Sequence, residues 1–478
     1  MKKTGVLLFI ISSLLLASCK PELKMVIEIF RHGARAPLGY DPWNVWNQSG
    51  ELTGNGLRQH FNLGLEVKKR YSHLLPSQYD PRLIKVQSTP LNRTLQSVYA
   101  QLYAIFSATN QQNYPKLEDG FNLSLASPPL SNISFNHSKL SLSALPQNHN
   151  PFPVHTTELR DNHLLLPYLR EVCPYVDVLI KKQHKALFSN QYAEFLSMAL
   201  PWVKKAVENK WIASNDSTSR EALLQASVLY DTLIADYTEG LPIPFQPGSE
   251  EWLAYEYLYL GINQILYFSN PLHLQIANAN FFNYLLDTFD RKTSNRTDLR
   301  FVFLSAHDTN LLAILSILNQ THFACFSERY KNKNLNASTC SAPKYAASIF
   351  FELWSDPADF NSQSIKIIYN DMPLNLCRRD ACTLQEFKEL VKYVTGGLTL
   401  DSYHDVCGKG SKLLEVERDK LKVDPIEALL LLVMCVLVIG LCFVIKRQVF
   451  DTLKTASSYD HRPQQGEIHQ YDVPETAI

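Results

Sequence analysis

The sequence predicts an α/β fold, with a mainly parallel central sheet flanked by helices and an inserted, largely helical domain. Apolar runs and helical patterns alternate before Tyr114, which is typical of strand–helix–strand units. From Tyr192 to Phe289 the pattern is almost entirely helical, and strand-like runs return after it. The 478-residue chain is 46% hydrophobic, so it can bury one large core or two modest ones.

The first predicted strand is "KMVIEIF", a short apolar run typical of a buried strand. The next segment, "TGNGLRQHFNLGLEVKKRYSHLL", has apolar residues at helical spacing and begins with a Thr53 cap. A second strand is predicted at "LIKVQST" and a helix at "RTLQSVYAQLYAIF". From about Asn110 to Pro153 the chain is rich in Ser, Asn and Pro, which predicts an exposed loop.

Four helical segments follow, and strands return at "LRFVFLSAHDTN", "AASIFFELW" and "SIKIIYN". We therefore expect an ectodomain at residues 20–424. Its α/β core would occupy about 20–115 and 265–420, and the helical insertion about 116–264.

The N-terminus has the three parts of a signal peptide over residues 1–19. Two lysines precede an apolar run from Val6 to Leu16, and the small residues Ala17-Ser18-Cys19 form a cleavage zone. A buried N-terminal helix is one alternative, and "LASC" also fits a bacterial lipoprotein site with Cys19 lipidated. The lipoprotein ranks lower because the chain has another candidate anchor near its other end.

That anchor is the apolar run from Ile426 to Ile445, in which Glu427 is the one charged residue. A helix of this length spans about 30 Å, the thickness of a hydrocarbon core, and a buried core helix is the alternative. Lys446 and Arg447 follow directly, so residues 446–478 are predicted to be cytoplasmic. The sequence thus predicts a single-pass type I membrane protein with a lumenal or extracellular catalytic domain, lysosomal or at the cell surface.

The cysteines and sequons are typical of an oxidising, secretory compartment. Six cysteines lie outside the predicted signal and span: Cys173, Cys325, Cys340, Cys377, Cys382 and Cys407. This even number predicts three disulfide bonds, and no Cys/His spacing resembles a zinc site. Asn-x-Ser/Thr sequons occur at Asn47, Asn92, Asn122, Asn132, Asn136, Asn215, Asn295, Asn319 and Asn336. Sequons also arise by chance, so several need not carry a glycan.

The charge composition limits which class of macromolecule can be the main partner of this chain. The chain has 46 Lys and Arg residues and 46 Asp and Glu residues, without a basic run in its body. This balance argues against nucleic acid as the main partner. The membrane is the predicted contact through one C-terminal helix, and the oligomeric state stays open, with a homodimer as one option.

Unusual polar residues follow three of the predicted strands. They are Arg31, His32 and Arg35 after the first strand, Arg93 after the second, and His307 and Asp308 after "LRFVFLS". Because sites in open α/β sheets form at the carboxyl ends of the strands, a parallel arrangement would bring these six residues together.

The predicted cluster fits phosphoryl transfer. Arginine is always charged and forks onto phosphate oxygens, so several arginines facing one cavity favour an anion there. His32 is a candidate nucleophile because neighbouring cations keep its imidazole neutral, and Asp308 is a candidate proton donor. No metal or cofactor is predicted, since the arginines can stabilise the charge. Taken singly, Arg31 could be a surface cation and Asp308 a helix cap.

Two motifs resemble those of the histidine acid phosphatases: "RHGARAP" resembles the signature RHGxRxP, and "SAHDTN" the distal HD motif. Further similar segments, in the same order, are "LTGNGLRQHFNLG", "STPLNRTLQS", "PFPVHT", "LLLPYLREVCP", "YAASIFFELW" and "CRRDACTLQEF". The resemblance covers roughly Lys24 to Cys407 and is to the prostatic and lysosomal types, the latter also having a late membrane span.

The resemblance implies an α/β core with an inserted helical domain and a role for each residue. His32 would form a phosphohistidine and Asp308 would donate the proton. The phosphate binders would be Arg31, Arg35, Arg93 and His307. The implied disulfides are Cys173–Cys407 and Cys377–Cys382, which leaves Cys325–Cys340 as the third.

Two segments depart from the family pattern. Acidic residues are usual where this chain has Pro90 and Asn92, and the Asn92 sequon is expected to be unused because a glycan there would crowd the phosphate pocket. A family cysteine often stands near Ser348, so Cys325–Cys340 is not the family's own pairing.

The leading functional hypothesis is a metal-independent acid phosphatase acting on phosphate monoesters. A phytase-type histidine phosphatase shares the same motifs and is the first alternative. A catalytically inactive type I membrane ectodomain is the second, and the intact set of six residues argues against it.

Overall fold

The computed structural model describes residues 21–409, except 44, 48, most of 107–150, 334–337, 357–358 and 378. The predicted signal peptide, membrane span and cytoplasmic tail lie outside these residues. Within the described part of the chain, the helices are all too short or too polar to cross a membrane.

The fold is built on one mixed sheet. Its strands are β1 (Glu22–Arg31), β2 (Ile84–Ser88), β3 (His155–Thr156), β4 (Phe301–Ala306), β5 (Ser348–Asp356), β6 (Asp359–Tyr369), β7 (Met372–Pro373) and β8 (Cys382–Thr383). The order is β3-β2-β4-β1-β5-β6-β7, and β8 pairs with β6. The α/β class is therefore confirmed.

The prediction of a mainly parallel sheet is wrong, because only β3, β2, β4 and β1 run parallel to each other. From β5 onward each strand pairs antiparallel with its neighbour. The physical reason for the β5–β6 pair lies in sequence spacing: β5 ends at Asp356 and β6 begins at Asp359, whereas parallel strands need a connection of roughly a dozen or more residues.

Besides a helical stretch at residues 400–409, ten helices of the described residues surround the sheet or lie between its strands in sequence. They are α1 (Gly54–Arg70), α2 (Asn92–Phe106), α3 (Pro174–Ala186), α4 (Ala193–Glu208), α5 (Arg220–Thr238), α6 (Glu250–Asn263), α7 (Pro271–Thr293), α8 (Asp308–Ile317), α9 (Phe323–Asn332) and α10 (Leu384–Val394). The predicted Thr53 cap is confirmed, since its side chain accepts a hydrogen bond from the Gly56 amide.

Alternation along β1 distributes the core over both faces of the sheet. Val26 and Phe30 are fully buried in the cluster that contains residues of α1 and α2. Ile27 and Ile29 belong to the opposite cluster, with residues of α7, α8 and α10. Because successive side chains of a strand point to opposite faces, a strand covered on both faces is apolar throughout, as the "MVIEIF" run indicates.

Helices α3–α6 lie in the segment between β3 and β4, where a π-helical turn, Gln264–Phe268, follows α6. Helices α4, α5 and α6 share a large apolar cluster with residues such as Phe195, Leu233 and Tyr255. The proposed division into core and insertion near residues 116 and 264 stays a prediction.

Three disulfide bonds are present, Cys173–Cys407, Cys325–Cys340 and Cys377–Cys382. The prediction of three bonds is confirmed. Cys325–Cys340 ties the start of α9 to the chain that follows α9, and it needs no cysteine at Ser348.

Candidate active site

The ends of the three inner parallel strands build the site. Arg31 of β1 is in register with Ala306 of β4, and Ser88 of β2 is in register with Ser305 of the same strand. The next residue after each strand therefore lies at one edge of the sheet. The three segments that the sequence singled out meet there, and the rings of His32 and His307 are 5.6 Å apart.

His32 is buried and oriented by its own loop. Its Nδ1 lies 2.8 Å from the Gly33 carbonyl oxygen, which can only accept, so Nδ1 carries the hydrogen and Nε2 keeps its lone pair. Burial, followed by the charges of Arg35, Arg31 and Arg93, holds the pKa of His32 well below its ordinary value. The imidazole is therefore neutral at mildly acidic pH.

Close backbone packing holds the loop after β1. A Cβ at Gly33 would lie 2.3 Å from the Gly56 carbonyl oxygen, and a Cβ at Gly56 would lie 2.1 Å from that of Ala34. The start of α1 therefore lies directly against the loop, which only glycine permits at these two positions. The Gly33 amide also donates to Ser97 of α2, at 3.0 Å.

Arg31 has contacts on three sides. Its Nη2 lies 2.9 Å from Asp308 Oδ2, and its Nη1 donates to the Pro343 carbonyl at 2.6 Å. The guanidinium also lies over the Tyr345 ring, 4.3 Å from its centroid. Arg31 is thus fixed by α8 on one side and by the loop before β5 on the other.

Arg35 forms a bidentate ion pair with Asp231 of α5, at 3.0 and 2.8 Å. Asp231 Oδ2 also accepts from the Leu38 amide at 2.9 Å. Burial alone would raise the pKa of Asp231, but Arg35 outweighs it and the pKa is lowered. The pair therefore stays ionised in acid.

Arg93 lies in the first turn of α2 and is 9% exposed. Burial and then the charge of Arg35 lower its pKa to about 10. The Nε atoms of Arg31, Arg35 and Arg93 are all buried without a hydrogen-bond partner among the described residues. Buried donors of this kind call for an acceptor, and three cationic ones near a single imidazole suit an anion.

His307 and Asp308 complete the site at the junction of β4 and α8. His307 Nε2 lies 3.0 Å from the Thr89 hydroxyl, and burial followed by Arg93 lowers its pKa to about 3. Asp308 Oδ2 accepts from the Tyr259 hydroxyl at 3.0 Å. Burial would raise the pKa of Asp308, but the charges of Arg31 and Arg35 outweigh it, so the pKa is lowered.

All six residues singled out from the sequence thus lie in this cluster. The sequence analysis did not identify four residues whose side chains contact them. Thr89 and Tyr345 stand inside motifs that the sequence shows, "STPLNRT" and "YAASIFFELW", without any sign of their contacts. Asp231 and Tyr259 lie in ordinary amphipathic helical pattern. Only tertiary packing brings α5 and α6 to the strand ends.

A separate groove of about 600 Å³ lies between α1 and α2. Its lining is mostly apolar and aromatic, for example Phe61, Tyr99 and Tyr103, and Arg58 is its one charged residue. None of the six clustered residues lines it, so the groove offers no comparable chemistry.

Known proteins resemble this chain in sequence and in fold. The model of the histidine phosphatase superfamily (branch 2) matches residues 41–370, which is more than half of the chain. The chain is 27% identical to testicular acid phosphatase of Homo sapiens over 334 residues, 66% of this chain and 68% of that protein. It is 28% identical to lysosomal acid phosphatase of Rattus norvegicus over 401 residues, 78% of each.

Among solved structures, the phytase of Klebsiella sp. ASR1 has a similar fold. The TM-score is 0.52 and the sequence identity 15%, over 79% of this chain and 96% of that chain. At this identity the likeness concerns the fold alone.

Proposed function

Because this chain belongs to the histidine phosphatase superfamily (branch 2), we propose that it is an acid phosphatase that hydrolyses phosphate monoesters through a phosphohistidine at His32. The names of its relatives, testicular and lysosomal acid phosphatase, support the same activity. The observation that carries the proposal is the trio of buried, unpartnered arginine Nε atoms around a neutral imidazole.

In the first half-reaction, Nε2 of His32 attacks phosphorus while the bond from phosphorus to the leaving oxygen breaks. Asp308 gives its proton to that oxygen, and the alcohol leaves. Arg31, Arg35, Arg93 and His307 bind the phosphoryl oxygens and stabilise their charge. The product of this step is phosphohistidine and an Asp308 carboxylate.

In the second half-reaction, water attacks phosphorus and Asp308 takes its proton. The bond between Nε2 and phosphorus breaks, and inorganic phosphate leaves. Asp308 must be protonated at the start, although Arg31 holds it ionised in the empty site. A bound phosphate adds negative charge next to Asp308 and shares Arg31, which raises the carboxyl pKa and favours protonation in acid.

The decisive experiment is a pH–rate profile on a generic phosphate monoester, with and without a chelator. We expect an acidic optimum that the chelator leaves unchanged. His32→Ala should abolish both turnover and any phosphoenzyme trapped by a rapid quench during turnover. A phosphoenzyme that survives in His32→Ala would contradict the proposal.

The phytase-type alternative is tested with the same protein. Rates on phytate and on an aryl phosphate separate the two functions, and we expect the aryl phosphate to be the better substrate. An inactive ectodomain would show neither activity.

We further propose that the catalytic part is lumenal or extracellular and that residues 426–445 anchor it to a lysosomal or cell-surface membrane. The disulfide bonds and the lysosomal relatives support this placement. In sealed vesicles whose cytosolic face is outward, an added protease should remove the tail at 446–478 and leave the ectodomain intact, and a glycosidase added after lysis should lower the mass of the ectodomain. A protected tail would contradict this orientation.

A further inference from the structure

The loop between α9 and β5 holds Arg31 in place. Its Pro343 carbonyl accepts from Arg31 Nη1, and the Tyr345 ring lies beneath the guanidinium. The loop returns to the active-site strand through the Ala346 amide, which donates to the His32 carbonyl at 3.1 Å. Ala346 has a φ of +58°, a conformation that alanine adopts only when its surroundings enforce it.

Glu256 of helix α6 holds the same loop at a second point, Ala342. Its Oε1 accepts from the Ala342 amide at 3.1 Å, one residue before Pro343. Its Oε2 accepts from Nε and Nη2 of Arg329 at 3.3 and 3.1 Å. The Tyr230 hydroxyl, at 3.4 Å from Oε1, adds a further donor.

This carboxylate is buried, as is its partner. The side chains of Glu256 and Arg329 are 5% and 10% exposed. A buried ion pair is costly to desolvate and gives little net stability over apolar side chains, so stability is a weak reason for its presence. Its geometric effect is specific, because it ties α6, α9 and the loop before β5 to one point.

The same helix also reaches the proton donor. Tyr259 follows Glu256 by three residues, so both side chains lie on one face of α6. Tyr259 donates to Asp308, while Glu256 fixes the loop that holds Arg31. The Cys325–Cys340 bond anchors the loop from the other side, since Cys340 precedes Ala342 by two residues.

We propose that Glu256 is a positioning residue for phosphoryl transfer, which sets the orientation of the phosphate-binding Arg31 through the Ala342–Tyr345 loop. The inference rests on the proposed phosphatase function and deepens it. Glu256 does not itself contact the predicted reacting groups. Its effect must therefore appear in phosphate binding and turnover rather than in leaving-group protonation.

The test compares Glu256→Gln with Glu352→Gln. Glu352 of β5 is a matched control because it is equally buried and accepts from the Tyr71 hydroxyl and the Trp354 indole. For Glu256→Gln we expect kcat/KM to fall by about tenfold to a hundredfold, as for other small misplacements of a catalytic group. The Kd for inorganic phosphate, measured by calorimetry, should rise.

The dependence of rate on leaving-group pKa should stay as in the wild type, because Asp308 keeps its Tyr259 contact. The double variant Glu256→Gln with Arg329→Gln replaces the ion pair by two amides and should recover part of the loss. Glu352→Gln should change thermal stability without changing phosphate affinity or kcat.

A folded Glu256→Gln protein with wild-type kcat and phosphate Kd would overturn the inference. Where this variant does not fold, Glu256→Asp serves instead. This variant keeps the negative charge near Arg329, but its shorter side chain moves the carboxylate away from the Ala342 amide. Wild-type kcat and wild-type phosphate Kd in this variant would overturn the inference. An inactive wild-type protein would instead contradict the proposed function, and the calorimetric comparison does not depend on turnover.

Discussion

At the residue scale, the proposed mechanism uses one carboxyl, that of Asp308, in both half-reactions. In the empty site it accepts from Tyr259 and pairs with Arg31, so its pKa is low. The ion pair orients the carboxyl next to His32 and His307. Bound substrate must therefore raise the pKa of Asp308, so that protonation of this carboxyl depends on occupancy of the phosphate site.

For Asp308→Ala we expect a loss that depends on the leaving group. Alkyl phosphates, whose leaving oxygen needs a proton, should lose about a hundredfold or more in rate. Aryl phosphates with acidic leaving groups should lose much less. The slope of log rate against leaving-group pKa measures this. Asp80→Ala is the control, since Asp80 is a partly exposed residue that precedes β2 and pairs with Arg82. An unchanged slope would show that Asp308 is not the acid.

The Arg35–Asp231 pair makes a different residue-scale prediction. Asp231→Asn keeps the shape but removes the charge that orients Arg35, so we expect inorganic phosphate to bind about tenfold more weakly, in line with the loss of a charged hydrogen bond. The wild-type pair should persist in acid, because the folded pKa of Asp231 is below its ordinary value and ionisation is lost only below that pKa. Phosphate inhibition measured from pH 4 to 7 checks both points, and equal inhibition constants for the two proteins would contradict the role.

At the element scale, strand β1 carries a second buried charged residue besides Arg31. Glu28, three residues before Arg31, is fully buried and accepts from Gln101 of α2 at 2.8 Å. Gln101 is next to His60 of α1, whose Nε2 lies 3.0 Å from the Arg31 carbonyl oxygen. A polar chain therefore runs from inside the sheet to the backbone of the site.

We expect Glu28→Gln to stabilise the protein at neutral pH but not in acid. Burial raises the pKa of Glu28 from 4.5 to about 8, so the folded state keeps the proton that the unfolded state releases. The free energy of unfolding therefore falls as pH rises from 4.5 to about 8, by on the order of 1 kcal/mol per pH unit. Glutamine does not ionise, so the Glu28→Gln protein avoids this loss. Melting temperatures at pH 4.5 and pH 7.5 check this, with the exposed Glu22→Gln on the same strand as control. Parallel pH profiles for wild type and Glu28→Gln would refute it.

Local elements were predictable, whereas their long-range partners were not. The strand "LIKVQST" and the helix "RTLQSVYAQLYAIF" correspond to β2 and α2, because apolar periodicity and caps act within a few residues. The convergence of Arg31, Arg93 and His307 followed from the rule that parallel strands end at one edge. The contacts of Asp231 and Glu256 could not be foreseen, since they depend on how α5 and α6 pack against residues 196 and 86 positions away in sequence.

At the scale of the whole molecule, the disulfide bonds constrain the chain over very different lengths. Cys173–Cys407 joins residues 234 positions apart, and Cys377–Cys382 joins residues 5 apart. The long bond also lies in an apolar cluster with Val176, Ile276 and Tyr403, so it closes the described fold near the last described residues. A bond between distant positions restricts the unfolded chain more strongly than a short one.

We therefore expect the double variant Cys173→Ser with Cys407→Ser to lower the free energy of unfolding more than Cys377→Ser with Cys382→Ser. The chain-entropy relation gives a difference of roughly 3 kcal/mol, because the effect grows only with the logarithm of loop length. Denaturant unfolding of both variants under non-reducing conditions measures it, and peptide mapping of the wild type confirms the pairs beforehand. Free thiols at Cys173 or Cys407, or equal losses in the two variants, would contradict the prediction. A larger loss for the long bond would mean that the segment after α10 belongs to the cooperative fold, because the bond can stabilise only what unfolds together with both of its ends.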